Sequence, residues 1–507
     1  MILKNVFKNI YIIESKGNMD IDVNNISSDS RIIKPNGLFF AINGFKLDGI
    51  NFIKSAIENG AVAVVVESNV DLSTLDYPDI TFIKVDNIRR NLGLCSCNLY
   101  DNPSKKLKLI GVTGTKGKTT STFMIKSILQ KQGYKVGLIG SIAIYINDEQ
   151  LEVTDRTTPE SYKIQQSLDL MVKENVDIAI LEVSSQSMKL DRVVGCDFDV
   201  CLFTNFSEDH ISPNEHPDME DYFQAKLSLL KLAPKCIVNV DNEYTRKIPS
   251  LLPEKSITTF GIDNPADVMA KDLSYTNSSV SFTLVTSDYT DKVTVSIPGK
   301  YMAYNALGAI AVSRCFGVTI DSIKSALNPF SVFGRSELVP NKLGYTIMID
   351  YAHTPSSLES ILQTVKPYTK GRVICTWGVG GDRDSKKRPI MGEISGRLAD
   401  FTVLTSDQVR TEDPRKILAD IEVGLKKSGG DYIVILNRTE AIRYAIHMMN
   451  KDDILVIPGL GNDLYIDYMG VKYPYNERTI IAEIIDEMLD PNTTNKTSND
   501  LINKFPF

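Results

Sequence analysis

The feature that most constrains this chain is a ten-residue run, Gly111-Val112-Thr113-Gly114-Thr115-Lys116-Gly117-Lys118-Thr119-Thr120. It closes an apolar, β-branched stretch, Leu109 to Val112, and opens a helix-patterned stretch, Thr120 to Gln132, that stops at Gly133. Strand, glycine-rich loop and helix in that order are the setting a phosphate loop requires. Glycines let backbone N–H groups close around phosphate oxygens, and the helix N-terminus adds a favourable dipole. In this reading Gly114, Thr115, Lys116, Gly117 and Thr120 wrap the phosphates of ATP. Lys118 neutralises the β- and γ-phosphates, and Thr119 sets its hydroxyl on Mg²⁺. The general spacing wants a glycine where Val112 stands. The competing reading is a plain glycine-rich turn before a helix.

Strand and helix signals alternate on both sides of this loop. Leu38 to Ile42 and Ala61 to Val66 read as buried strands, with helical spacing from Phe52 to Asn59 between them. Val136 to Ile139, Val176 to Leu181 and Asp199 to Phe203 extend the pattern, as do Thr346 to Ile349, Arg372 to Cys375, Phe401 to Leu404 and Ile454 to Ile457, each of these last four followed by a helical segment. Such repetition predicts α/β domains with mostly parallel sheets. Residues 277–297 alternate in period two and predict a small antiparallel patch. The 507 residues exceed one hydrophobic core, and at about 100–200 residues per domain three domains are expected. Turn clusters at Asp101-Asn102-Pro103-Ser104 and Phe333-Gly334-Arg335 divide them into 1–105, 106–334 and 335–489. Residues 490–507, rich in Asn, Thr and Lys, read as a loose tail.

Composition excludes several classes. A net charge of −7 argues against nucleic acid as a partner, since phosphate backbones favour basic surfaces. The seven cysteines form no CxxC pair and are odd in number, which suits a reduced cytosol. Met1 to Asn18 lacks a secretory apolar core, and no apolar run approaches the roughly 18 residues of a membrane span. A cytoplasmic monomer with no membrane partner is expected.

Two further segments carry chemistry. In Leu181-Glu182-Val183-Ser184-Ser185 a carboxylate ends a buried strand, a costly place without a task. Beside a phosphate loop that task is holding Mg²⁺, and the alternative is a solvated strand-end acid. His210 closes Thr204-Asn205-Phe206-Ser207-Glu208-Asp209-His210; with only four histidines in the chain, it and His353 are candidates, although a lone histidine is commonly structural.

These pieces in this order resemble the Mur ligase family, ATP-dependent enzymes that build the peptide of peptidoglycan. The likeness runs from about residue 27 to 488 and is strongest to the ligases that add the third residue to UDP-N-acetylmuramoyl-L-alanyl-D-glutamate. Asp29-Ser30-Arg31, Gly37 to Ala41 and Asp48-Gly49 resemble the nucleotide-sugar domain of those ligases. Gly114 to Thr120 is the family's form of the phosphate loop. Thr157-Thr158-Pro159, Arg192, Asp350-Tyr351-Ala352-His353-Thr354-Pro355, Gly380 to Asp384 and Lys387-Arg388-Pro389 follow in order. The resemblance implies a central phosphate-loop ATPase domain, an N-terminal UDP-sugar domain and a C-terminal Rossmann-like domain that receives the amino acid.

It also implies roles. Glu182 completes the first Mg²⁺ site with Thr119, and His210 binds a second Mg²⁺. Lys226, in Tyr222-Phe223-Gln224-Ala225-Lys226, matches the lysine the family carbamylates to N6-carboxylysine; the residues alone describe an exposed helix lysine. Asn305, Arg335, Asp350 and His353 match positions near the nucleotide. Ser30, Thr157, Thr158, Ser184 and Arg192 match the site of the UDP-sugar dipeptide. Arg383, Asp407, Gln408, Arg410, Gly459 and Asp463 match the site of the free amino acid. The implied chemistry is attack of a peptide carboxylate on the ATP γ-phosphate, then attack of an amine on the acyl phosphate, with ADP and phosphate as products.

The chain departs from the family at several points. Gln186 replaces the usual histidine after the paired serines, and Ile211 to His216 replaces Leu-Asp-x-His-Gly. The Asp-Asn-Pro-Arg of diaminopimelate-adding enzymes reads Asp407-Gln408-Val409-Arg410, and Gly-Lys-Gly-His-Glu reads Gly459-Leu460-Gly461-Asn462-Asp463. The reaction type is untouched by these changes, while the amino acid is open. Two arginines and one carboxylate favour meso-diaminopimelate, with L-lysine or another diamine as alternatives. A folylpolyglutamate-type ligase and a non-catalytic UDP-sugar-binding relative are the other readings. The first is disfavoured by Asp29-Ser30-Arg31 and the second by the complete metal set.

Overall fold

The computed structural model describes residues 1–44, 48–154, 156–209, 211–212 and 215–490. The expected loose tail from 491 onward and His210 lie outside the described residues. The chain divides into two compact units, Met1–Met269 with Leu307–Ile323, and Ala270–Ala306 with Lys324–Phe507.

The first unit holds two sheets. One contains β1 (Glu14–Lys16), β2 (Asn25–Ser27), β3 (Gly37–Phe40), β4 (Ala61–Glu67) and β5 (Thr81–Val85), in the order β1-β5-β4-β3-β2. β2 to β5 are parallel and β1 is an antiparallel edge. β4 forms from the run Ala-Val-Ala-Val-Val-Val because β-branched side chains fit a pleat covered on both faces.

The other sheet is built on β6 (Lys108–Thr113), β7 (Val136–Ile139), β8 (Ala143–Ile146), β9 (Glu149–Val153), β10 (Ile178–Glu182), β11 (Val200–Phe203), β12 (Lys235–Asn239) and β13 (Ser256–Gly261); β14 (Val268–Tyr275) starts at the end of this unit's segment and lies mostly in the second. Its parallel core runs β7-β10-β6-β11-β12-β13. The hairpin β8–β9 adds two antiparallel strands at the edge, which the sequence pattern did not announce. β9 is exposed along its whole length, so it carries no apolar signature. The helix Lys118–Lys131 packs Met124, Ile125, Ile128 and Leu129 inward, one face at helical spacing.

In the second unit, β15 (Val280–Val285) and β16 (Thr290–Val295) form the expected antiparallel patch. A six-stranded sheet follows: β17 (Glu337–Leu338), β18 (Thr346–Asp350), β19 (Val373–Trp377), β20 (Phe401–Leu404), β21 (Tyr432–Val434) and β22 (Ile454–Pro458), in the order β17-β18-β22-β19-β20-β21. All are parallel except β17. One expectation needs correction. β22 is not followed directly by a helix; a hairpin, β23 (Tyr465–Tyr468) and β24 (Val471–Pro474), comes before the helix Glu477–Leu489.

Candidate active site

β10, β6 and β11 are neighbours at the centre of their sheet, and the loops leaving their carboxyl ends converge. Crevices at such ends are where open parallel sheets take ligands. The loop after β6 is held by the segment after β11: Thr115 N donates to Asn205 O (2.9 Å), Lys116 N to Asn205 Oδ1 (2.9 Å) and Thr204 Oγ1 to Lys116 O (2.8 Å). Gly114 has φ +142°, and a Cβ there would stand 2.0 Å from Thr204 Oγ1. Only glycine fits both the conformation and the space.

Two lysines meet at this loop. Lys118 Nζ donates to Gly114 O (3.0 Å) and Thr115 O (3.1 Å), and Lys226 Nζ donates to the same Gly114 O (2.8 Å). Lys226 is not the exposed lysine the residues alone suggest. It is 2% exposed, on the face of the helix Met219–Lys231 that buries Tyr222, Phe223, Leu227, Leu229 and Leu230. Burial first, and then the positive charge of Lys118, hold its amine well below the usual lysine range. A lysine shifted in this direction reaches its uncharged, nucleophilic form more readily than an exposed one.

Glu182, at the end of β10, is fully buried. Its Oε2 accepts from Thr119 Oγ1 (3.1 Å) and Ser141 Oγ (2.9 Å), and its Oε1 from Ser141 N (3.2 Å). The solvated strand-end acid is thereby ruled out. Thr119 and Glu182 together are hard oxygen donors of the kind Mg²⁺ uses, an ion that takes one or two carboxylates and completes its shell with water and substrate phosphate. Among the described residues no group of three or more His, Cys, Asp and Glu gathers as a ready-made metal cage.

The residues expected to hold a sugar dipeptide cluster on the other side of Glu182. Ser141 Oγ lies 3.1 Å from Thr157 Oγ1; Thr158 Oγ1 donates to Glu182 O (2.9 Å) and accepts from Ser184 N (3.0 Å). Arg192 donates to Thr158 O and pairs with Glu160, both at 3.0 Å. Ser30 sits elsewhere in the unit, at the start of a one-turn helix capped by Asp29, where its carbonyl accepts from Asn59 (2.9 Å). The sequence reading missed a cavity of about 300 Å³ at the carboxyl ends of β3 and β4, lined by Asn43, Asp48, Glu67 and Asn69 among others.

In the second unit Asp350 ends β18 and accepts from Ser336 N (2.7 Å) and Ala352 N (2.8 Å). Burial raises its carboxyl, opposed by Arg335, whose guanidinium lies 4.7 Å from the Tyr351 ring. Burial lowers the His353 imidazole, whose Nδ1 is 2.7 Å from Tyr351 O. Asn305 lies buried on the helix Lys300–Arg314. Asp407, Gln408 and Arg410 follow β20, while Gly459 and Asp463 follow β22. Gln408 Nε2 donates to Asp463 Oδ2 (2.5 Å). Burial and then Asp407 raise the Asp463 carboxyl. Arg410, in the left-handed region at φ +51°, donates to Gly381 O (2.5 Å). Arg383 is exposed. Its charge joins burial in lowering the Lys387 amine.

Arg438 escaped the sequence reading. It is almost wholly buried and donates to Ser406 O (3.3 Å), Pro458 O (3.2 Å) and Glu477 Oε1 (2.8 Å), so one guanidinium ties the loops after β20 and β22 together. No local pattern marks it, because its partners are far away in the chain.

Residues 22–98, 112–313 and 334–461 match in turn the Mur ligase family catalytic domain, the Mur ligase middle domain and the Mur ligase glutamate ligase domain. The UDP-N-acetylmuramoyl-L-alanyl-D-glutamate–2,6-diaminopimelate ligase of Caldanaerobacter subterraneus is 43% identical, over 94% of this chain and 97% of its own. The chain belongs to the Mur ligase family. The ligase of the same name from Clostridium tetani is also 43% identical, over 96% of this chain and 100% of its own. A solved structure of a ligase of that name aligns at a TM-score of 0.69 with 27% identity, covering 95% of this chain and 99% of the other. Within this Mur ligase, then, the first unit gathers Lys118, Thr119, Glu182 and Lys226 at one loop, with Thr157, Thr158, Ser184 and Arg192 linked to one another beside Glu182. The second gathers Asp407, Gln408, Gly459 and Asp463. Among the described residues no helix is long and apolar enough to cross a membrane.

Proposed function

We propose that this chain is an ATP-dependent, ADP-forming ligase that joins meso-diaminopimelate to UDP-N-acetylmuramoyl-L-alanyl-D-glutamate in peptidoglycan synthesis, and so serves cell shape and division. The observation that carries the reading is the pairing of Thr119 with buried Glu182 beside Lys118, in a chain 43% identical along its length to ligases of that name. Residues 1–105 would take the nucleotide end, 106–334 ATP and 335–489 the amino acid, with the protein acting as a cytoplasmic monomer. The carboxylates of Asp48 and Glu67 in the lining of the cavity at β3 and β4 suit the hydroxyl and imide donors of a nucleoside better than its phosphates.

The chain's own groups divide the labour. The backbone of Gly114 to Thr120 cradles the phosphates. Lys118 gives up its loop carbonyls to meet the γ-phosphate as negative charge builds there. Thr119 and Glu182 would hold one Mg²⁺, with His210 and Lys226, as its carbamate, serving a second. When bound, the ions offset the charge brought together between carboxylate and phosphate. Thr157, Thr158, Ser184 and Arg192 hold the dipeptide so that its terminal carboxylate faces the γ-phosphorus. The carboxylate oxygen bonds to phosphorus as the bond to ADP breaks. The amino-acid amine then attacks the acyl carbon, loses a proton and expels phosphate. Lys226 is suited to carbamylation because burial favours the uncharged amine, the form that adds to carbon dioxide.

The test is phosphate release with each component omitted in turn, then a panel of amino acids. Release is expected only with ATP, the UDP-sugar dipeptide and an amino acid together. Equal release without the sugar dipeptide would sink the ligase reading. A strong preference for lysine over diaminopimelate would overturn only the choice of amino acid.

A further inference from the structure

His216 belongs to none of the roles above, yet it is 0% exposed and hydrogen-bonded at both ring nitrogens. Its Nδ1 lies 2.6 Å from Asp221 Oδ2, and its Nε2 lies 2.9 Å from Ser185 Oγ. Lys189 and then His216 hold the Asp221 carboxyl below the usual range, so Asp221 is an anion. An anion at Nδ1 places a proton there, and Nε2 is within hydrogen-bond distance of the Ser185 hydroxyl. The same three residue types serve as nucleophile, base and orienting acid in acyl transfer. Here Ser185 is only 4% exposed, so an attacking role gives way to a positional one.

What the array joins gives it a purpose. Ser185 follows Ser184, which caps the short helix Ser185–Lys189 and accepts from Ser187 N (3.2 Å). Asp221 lies in the first turn of the helix that carries Lys226. Between them the His216 ring packs against the Tyr222 ring, centroids 4.9 Å apart. Tyr222 in turn donates to Thr115 Oγ1 (3.2 Å) and underlies Lys226 Nζ at 4.6 Å. One buried imidazole therefore touches the segment that holds the dipeptide and the helix that bears the buried lysine.

We propose that Ser185, His216 and Asp221 form a relay that fixes the dipeptide-binding segment against the Lys226 helix, with His216 as a positioning residue. The inference rests on the ligase reading. Its test is a double-mutant cycle on Ser185 and Asp221, which communicate through His216, read as the affinity for UDP-N-acetylmuramoyl-L-alanyl-D-glutamate without ATP. His216→Ala would leave a cavity and risk unfolding, whereas Ser185→Ala and Asp221→Asn add no bulk; thermal melting confirms their folding. Each single change is expected to weaken binding about tenfold, and the pair by little more than one change alone, because either one breaks the relay. Losses that multiply to about a hundredfold would overturn it. Asp221 also pairs with Lys189 (2.8 Å), so Lys189→Met is the control for that second path. Its effect should multiply independently with Ser185→Ala; coupling as strong as that of Asp221→Asn would overturn the relay through His216. His216→Gln, which can keep a group near Ser185, and His216→Asn, which can keep one near Asp221, should each fall short of wild-type binding. Wild-type affinity in both would reject the proposal. Absence of binding by the wild type would sink the ligase reading and the relay with it, whereas binding with independent losses would sink the relay alone.

Discussion

The loop after β6 and the loops after β20 and β22 stand at equivalent places, the carboxyl ends of parallel strands, but they are held in different ways. The first is a backbone structure. Its shape comes from glycine conformations and main-chain hydrogen bonds to Thr204 and Asn205, and side chains arrive at it from three other segments. The others are side-chain structures, in which Gln408 holds Asp463, Arg410 holds Gly381 O, and Arg438 spans both loops. A site fixed by backbone tolerates little change without losing its chemistry. A site fixed by side-chain pairs can drift when two partners change together. In the second unit the Asn and Glu expected from the diaminopimelate-adding motifs read Gln408 and Asp463, one a methylene longer and the other a methylene shorter, and the two are hydrogen-bonded to each other.

Four experiments press on this contrast. The largest expected effect is on stability. Arg438→Ala leaves Glu477 and two loop carbonyls buried without their donor and should cost about 3–5 kcal/mol, measured by denaturant unfolding. An effect below about 1 kcal/mol would mean that the loops of the second unit do not depend on this side chain. Next is Lys118→Ala, expected to slow ADP formation by a factor of hundreds or more, about 2.7–4 kcal/mol in transition-state stabilisation, with little change in melting temperature. A mere few-fold loss would break the picture of the loop as the reaction centre.

Third, Lys226→Met should cut turnover by about a hundredfold or more. The same change should make the protein less sensitive to falling pH. The native amine titrates below the unfolded one, so the folded wild type binds fewer protons. Its stability therefore declines as pH falls from about 10.4 towards the native pKa and levels off below it, and the methionine variant should lack that decline. Parallel pH–stability curves for the two proteins would show Lys226 to be solvated. The smallest effect concerns the exchanged methylene. Gln408→Asn and Asp463→Glu should each cost about 1 kcal/mol, or roughly fivefold, in kcat/KM for the amino acid, and the double variant should recover most of it. Additive losses would show that the two positions are independent.

The sequence reading reached the two regions unequally for the same reason. A glycine-rich loop between strand and helix is a local pattern, so the positions of Gly114, Lys118 and Thr119 were legible from residues close together. Glu182 was legible as a carboxylate at the end of an apolar run. The burial of Lys226 had a signal that was not used: it lies four residues after Tyr222 and three before Leu229, on the apolar stripe of its helix. The hairpin β8–β9 and the pairing of β23 with β24 had little signal, since β9 and β24 are exposed and need no apolar alternation. Arg438 had none, because its partners are brought to it by the sheet.

By itself the sequence determined the alternation of buried parallel strands with helices, the phosphate loop and the chemical type of each group that could act there, because those depend on backbone preferences and apolar spacing over a few residues. Only the tertiary structure decided which groups meet. It put Thr119 on Glu182 and seated Lys118 and Lys226 on one carbonyl. It stripped water from a lysine that the residues alone would leave charged, and placed His216 between a serine and an aspartate from different helices. The physical reason is that desolvation and hydrogen bonding act across space. Their strength depends on burial and on distances of about 3 Å, and residues distant in the chain acquire such distances only when the sheets form.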